Sequence, residues 1–124
     1  MANEDRLRGL LGLCQRAGKM QSGADQVMNA IRSGKCLLAL VDAAAAQNTL
    51  KKVTDACIYY HVPHAFVPAG LLGEATGREG RMTAAVTDAG FAAKIGELAE
   101  QTKAISYLRY KFSELKESGG ASVE

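Results

Sequence analysis

The sequence predicts an α/β fold, an α/β/α sandwich, and three observations carry that prediction. Stretches with apolar residues three and four apart alternate with short apolar runs, the rhythm of helices alternating with strands. The run Cys36-Leu-Leu-Ala-Leu-Val-Asp42 is short and unbroken, as a strand covered on both faces must be. Gly18, Gly34 and Gly77 fall where helical periodicity stops, and glycine is favoured just past a helix end because it accepts a positive φ.

Taken in order, residues 4–17 form a first helix with Leu7, Leu10, Leu11, Cys14 and Ala17 at helical spacing. Gly9 and Gly12 cost propensity inside it, so they are expected to admit a close neighbour. Lys19-Met-Gln21 is a short strand or link. Ser22 followed by Asp25 is a capping-box pattern, so a second helix starts at about Gly23 and runs to about Ser33. Ala24, Val27, Ala30 and Ile31 share its inner face.

The strand 36–42 leads to a link, with Asn48 or Thr49 as N-cap of a third helix. Leu50, Val53, Thr54, Cys57 and Ile58 form the inner face of that helix, and Lys51, Lys52 and Asp55 point out. Pro63 disfavours helix at Val62 and ends it. His64–Val67 reads as a strand, Leu71–Thr76 as one to two helical turns, and Met82–Thr87 as the last strand. Asp88 caps a helix over about 89–101, with Phe91, Ile95, Leu98 and Ala99 inward. The domain expected is therefore 1–101. Residues 102–124 form a helical extension with Ile105, Leu108, Phe112 and Leu115 in rhythm, then a flexible Gly- and Ser-rich end.

With 124 residues, 48% of them hydrophobic, the chain is too apolar for disorder and long enough for one core. No apolar run is long enough to span a bilayer, and residues 1–6 lack the features of a signal peptide. Cys14, Cys36 and Cys57 are widely spaced and odd in number, so buried free thiols in a reducing cytoplasm are expected. The net charge of +2 permits nucleic-acid binding without demanding it.

Catalytic and metal patterns are missing. His61 and His64 have no third ligand nearby in sequence. The segment Gly70–Gly77 lacks both the Gly-Lys-Ser/Thr end of a P-loop and the dinucleotide fingerprint. Neither an enzyme activity nor a cofactor is expected.

The second helix and its flanks draw more interest. Asp25, Gln26, Asn29 and Arg32 lie off its apolar face, and Arg16, Lys19 and Lys35 flank it. A helix N-terminus with amides and nearby cations suits phosphates and base edges. The plain alternative is a solvated helix face. A second candidate is the Gly70–Met82 segment with Arg78 and Arg81, whose plain alternative is a surface turn. If the last strand neighbours the second helix, both candidates fall at one end of the sandwich.

Several motifs occur in one order: Leu10-Leu-Gly-Leu-Cys-Gln-Arg-Ala-Gly-Lys-Met-x-Ser-Gly23, Ile31-Arg-x-Gly-Lys-x-x-Leu38, Asn48-Thr-x-Lys-Lys-Val-Thr-Asp55, Val62-Pro63, Leu72-Gly-x-x-x-Gly77 and Ala85-Val-Thr-Asp-x-Gly-Phe-Ala92. Together they resemble the small bacterial YlxQ-like branch of the kink-turn-binding ribosomal protein superfamily, the L-seven-Ae type, over about residues 6–100. The resemblance implies a three-layer α/β/α sandwich around a small mixed sheet and RNA binding without catalysis. It implies that the start of the second helix enters the groove at an RNA kink, with Gly23, Asp25, Gln26 and Asn29 at the motif positions. Asp25 and Asn29 depart from the amide and lysine usual there. It also implies a nucleotide cradle from Leu72, Gly73, Glu74, Thr76 and Gly77 through Arg78, Arg81 and Met82.

The function expected is recognition of kinked or bulged structured RNA, cytoplasmic and ribosome- or RNA-processing-associated, with ribosomal RNA a candidate partner. The alternative is a protein–protein module on the same fold. A nucleotide-binding fold using the glycine-rich segment is a third reading. The extension is a candidate for oligomer formation.

Overall fold

The computed structural model describes residues 2–99, and these form five helices and four strands. The helices are α1 (Ala2–Arg16), α2 (Ala24–Arg32), α3 (Gln47–Tyr60), α4 (Leu71–Thr76) and α5 (Ala89–Ala99). The strands are β1 (Met20–Ser22), β2 (Leu38–Asp42), β3 (His64–Val67) and β4 (Thr83–Val86). The expected extension 102–124, and the last two residues expected in α5, lie outside the described residues.

The four strands form one sheet in the order β1-β4-β2-β3. β2 runs parallel to β3 and antiparallel to β4, and β1 runs antiparallel to β4, so the sheet is mixed as expected. Every residue of β2 and β4 is buried. α2 packs with α3, and α1 packs with α4 and α5, which covers the two faces of the sheet. Leu7, Leu11 and Cys14 of α1, Val27 and Ile31 of α2, Val53 and Cys57 of α3, and Ile95 of α5 all enter the core. Burying each of the larger aliphatic side chains contributes about 1.5–3 kcal/mol.

The start of α2 differs from the capping-box expectation. Ser22 pairs opposite Ala84 as the last residue of β1. Gly23 is the N-cap, at φ 99° and ψ 146°, and no side chain caps the helix. The Gly23 N–H donates to Thr83 O at 3.2 Å, so the β1–β4 ladder fixes the point where the chain turns. Strand pairing thus holds Ser22 one residue too early to cap.

Helix α3 also starts early. Its N-cap is Ala46, again without a side-chain cap, while the expected cap Asn48 accepts from the Thr49 N–H at 2.9 Å inside the first turn.

Three facing expectations change. Ala24 is exposed, and Met28 takes a buried place on α2. Ile58 is exposed, while Ala56 is buried. Gly9 has open space where a Cβ would stand, so it marks no close approach. The expected Asp88 cap is present, with Oδ2 accepting from the Phe91 N–H at 3.0 Å. α4 ends at Gly77 in a left-handed conformation, as glycine there predicts.

Candidate nucleic-acid interface

The candidate site lies at one end of the sheet. At that end β1 and β2 finish and β4 begins, because β4 runs against both. That end gathers Gly23, the start of α2 and the segment leading into Thr83. The two segments singled out in the sequence therefore meet across the β1–β4 pair. Gln15, Met20, Gln21, Ser22, Gly23, Ala24, Asp25, Gln26, Arg78 and Arg81 line an open cleft of about 490 Å³ between them.

Local geometry builds the cleft floor. An added Cβ at Gly23 would stand 2.6 Å from Arg81 Nη1, so the guanidinium lies directly over that glycine. The first turn of α2 leaves backbone N–H groups without partners within the helix, and the positive end of its dipole faces the same space. Gln26 and Asn29 are exposed on the helix beyond it. Asp25 opposes the two arginines among the lining charges. Cations, amides and free backbone donors in an open cleft match the donors and acceptors of phosphates and base edges.

The segment 77–82 is folded back on α4. Arg78 N–H donates to Gly73 O at 3.1 Å, and a Cβ on Gly73 would meet Arg78 O at 3.3 Å. Thr76 Oγ1 donates to Leu72 O at 2.8 Å. The Arg81 N–H bonds Arg78 O at 3.2 Å, which closes the turn that carries both arginines to the cleft. Asp42 braces the same end of the sheet. This carboxylate, 1% exposed, accepts from Ala44 N–H at 2.7 Å and Gly70 N–H at 2.8 Å.

The other expected site residues are dispersed. Leu72 is fully buried in the core, so it presents no apolar wall to a nucleotide. Glu74 faces α1, where Arg8 Nε reaches its Oε1 at 2.8 Å. Met82 is half-buried at the entry to β4, and Gly77 is the cap of α4. Lys19 lies at the opposite end of the sheet, where its carbonyl accepts from the Thr87 N–H at 2.9 Å, and Arg16 ends α1 three residues before it. Arg32 and Lys35 stand at the far end of α2, about 13 Å from its start by helical rise.

Sequence reasoning missed Gln15 and Asp42. Gln15 Oε1 is a buried oxygen with no hydrogen-bond partner among the described residues, beside the cleft. Asp42 closes an apolar strand, and a lone acid there was the available signal.

Thiol or metal chemistry finds no support in the geometry. Burial pushes the Cys14 and Cys36 thiols up to about 11. Burial, then the proximity of Cys36, pushes Cys57 up to about 12. No group of three His, Cys, Asp or Glu among the described residues is arranged to hold a metal ion. No helix among them is long and apolar enough to cross a membrane.

A mixed four-stranded sheet between helical layers, with a polar cleft at a helix start, defines a small α/β/α sandwich of the ribosomal-protein type. The chain belongs to the ribosomal protein L7Ae/L30e/S12e/Gadd45 family, whose model matches residues 5–96. It is 47% identical over 92 residues to the RNA-binding protein YlxQ of Bacillus subtilis (strain 168), covering 73% of this chain and 92% of that protein. It is 36% identical over 100 residues to the RNA-binding protein YlxQ of Enterococcus faecium, covering 79% and 95%.

Among solved structures, a protein of unknown function from Bacillus halodurans C matches with TM-score 0.73 and 34% identity, over 77% of this chain and 97% of that one. The 15.5kD RNA binding protein of Giardia lamblia shares the fold, with TM-score 0.68 and 18% identity over 85% and 91%.

Proposed function

We propose that the chain is a non-enzymatic RNA-binding protein that recognises a kinked or bulged RNA helix through the cleft between α2 and the 77–82 segment. The observation that carries this reading is the seating of Arg81 over Gly23, which joins two separate cationic and amide-bearing segments into one surface. The names of the two relatives support RNA as the partner.

In this reading the exposed start of α2 enters a groove that a kink has widened, because an unbroken A-form major groove is too narrow for it. Gln26 and Asn29 read base edges, and the N–H groups of the first turn meet phosphate. Arg78 and Arg81 hold the backbone on the far side. Asp25, placed among these cations, disfavours a bare phosphate beside it and favours a base amino group instead. A cytoplasmic place beside the ribosome or RNA-processing machinery fits this activity.

The test is binding of the full chain to a kink-turn RNA and to a matched straight duplex, each across a salt series. Tight binding to the kinked RNA alone is expected, weakening with salt as released counterions require. Gln26→Ala with Asn29→Ala is expected to erase the preference and leave weak, salt-sensitive binding. Equal affinity of the unaltered chain for both RNAs would overturn the proposal.

A further inference from the structure

At the other end of the sheet a second groove, of about 260 Å³, opens between the end of α2 and the α3–β3 turn. Buried Ile31 and Cys36 form its floor, and Arg32, Leu37, Tyr60, His61, Val62 and Pro63 line it above them. Two observations set it apart from an ordinary solvated surface. Five large hydrophobic side chains are exposed among the described residues, and Leu37, Ile58, Tyr59 and Tyr60 belong to this groove or the turn of α3 beside it. Tyr59 meets Tyr60 edge-on at 4.9 Å, which supports one ring with the other.

The charge around the groove has one sign. Arg32 is exposed in its wall and Lys35 is exposed three residues on, and neither makes an ion pair among the described residues. Among the described residues, no carboxylate lines the groove. His61, in a left-handed conformation at φ 60°, ends α3 and turns the chain so that Tyr60 and Val62 flank the same space. It is the one non-glycine residue with positive φ among those described.

We propose that this groove is a second RNA site, which takes an unpaired base and its phosphate from a single strand adjoining the structured RNA. The inference extends the RNA-binding reading above to a new surface. An exposed tyrosine offers a base a stacking platform, and the Arg32 guanidinium stands in the same wall to meet the phosphate. The volume is below that of a drug-sized site, which suits one base rather than a whole cofactor. A second copy of the chain fits worse. A two-fold contact puts the same patch on both partners, so these cations would face their own kind.

The experiment uses the full chain with four probes: a blunt kink-turn RNA, the same RNA with an octa-adenylate overhang, free octa-adenylate and free octa-uridylate. The overhang is expected to raise affinity about tenfold. Photo-crosslinking of the overhang should label the peptide that carries Tyr60. Tyr60→Ala should remove the gain and leave the affinity for the blunt RNA unchanged, while Tyr60→Phe should keep it. Tyr60 is exposed, so an unchanged melting temperature checks that both variants fold.

Equal affinity with and without the overhang overturns the proposal. So does labelling confined to the first cleft or to residues 100–124. A doubled sedimentation mass that Tyr60→Ala abolishes also overturns it and makes the surface a self-interface. If the blunt kink-turn fails to bind while octa-adenylate binds and labels Tyr60, the second site stands and the kink reading falls.

Discussion

Gly23 carries two constraints in one residue, and each has its own consequence. Its φ of 99° and ψ of 146° lie where side-chain-bearing residues are strained, and its missing Cβ makes room for Arg81. Gly23→Ala is expected to destabilise the fold by about 1–3 kcal/mol in urea unfolding. It should also weaken RNA binding, because the flexible guanidinium moves aside before the backbone does. Asp42 is a second such residue, satisfying two backbone donors from a buried position. Asp42→Ala is expected to cost about 1–3 kcal/mol, since the Gly70 N–H loses its acceptor. Asp42→Asn keeps an acceptor oxygen and should cost less.

His64 supplies a pH dependence at the same scale. Burial holds its pKa below the usual histidine value, opposed by a backbone hydrogen bond at Val62. The unfolded chain therefore binds a proton more readily than the folded one. The stability His64 contributes is complete above about pH 6.5 and is lost as the pH falls below it. Melting temperatures between pH 7 and pH 5 should fall, and less steeply in His64→Gln.

Among the elements, β2, β3, α4 and the Asp88 cap of α5 were legible because local chemistry and tertiary packing agree there. The buried run around Leu40 could only be a covered strand, and Gly77 could only stop a helix. The start of α2 was misread because Ser22 and Asp25 satisfy a local pattern that the β1–β4 pairing overrides. The facing of α3 slipped at Ile58 because periodicity treats all apolar residues alike, while the core takes Val53, Ala56 and Cys57, with Leu50 packed at its edge. Of the candidate site, the helix start and the two arginines were legible. The burial of Leu72 and the turn of Glu74 toward Arg8 were not, since motif order in the chain says nothing about which side of α4 a residue faces.

Helix α3 also permits a gain. Ala46 is exposed at its N-cap with φ −64° and ψ 154°, a conformation that aspartate adopts freely. Ala46→Asp should accept from the Asn48 N–H, or from the Thr49 N–H in place of Asn48 Oδ1. An added stability of about 0.5–2 kcal/mol is expected in the same urea assay.

Among the described residues, one arginine-bearing cleft opens at each end of the sheet, while β2 and β4 between them are buried throughout. The three thiols are buried, Cys36 beneath the second groove, and burial holds them in the neutral form. Reaction with a disulfide reagent at pH 8 is therefore expected to be slow in the native chain and fast in denaturant. Rapid native labelling would show that the sheet opens locally.

The order β1-β4-β2-β3 also sets a schedule. β1 has no hydrogen-bonded neighbour except β4, and residues 83–86 come late in the chain. While a ribosome is still making the first eighty residues, Ser22 and Gly23 have nothing to pair with, and Arg81 has not been added. The cleft comes into being only when β4 slides between β1 and β2. If this surface holds RNA as proposed, a nascent chain cannot present it before residues 83–86 have been made and paired.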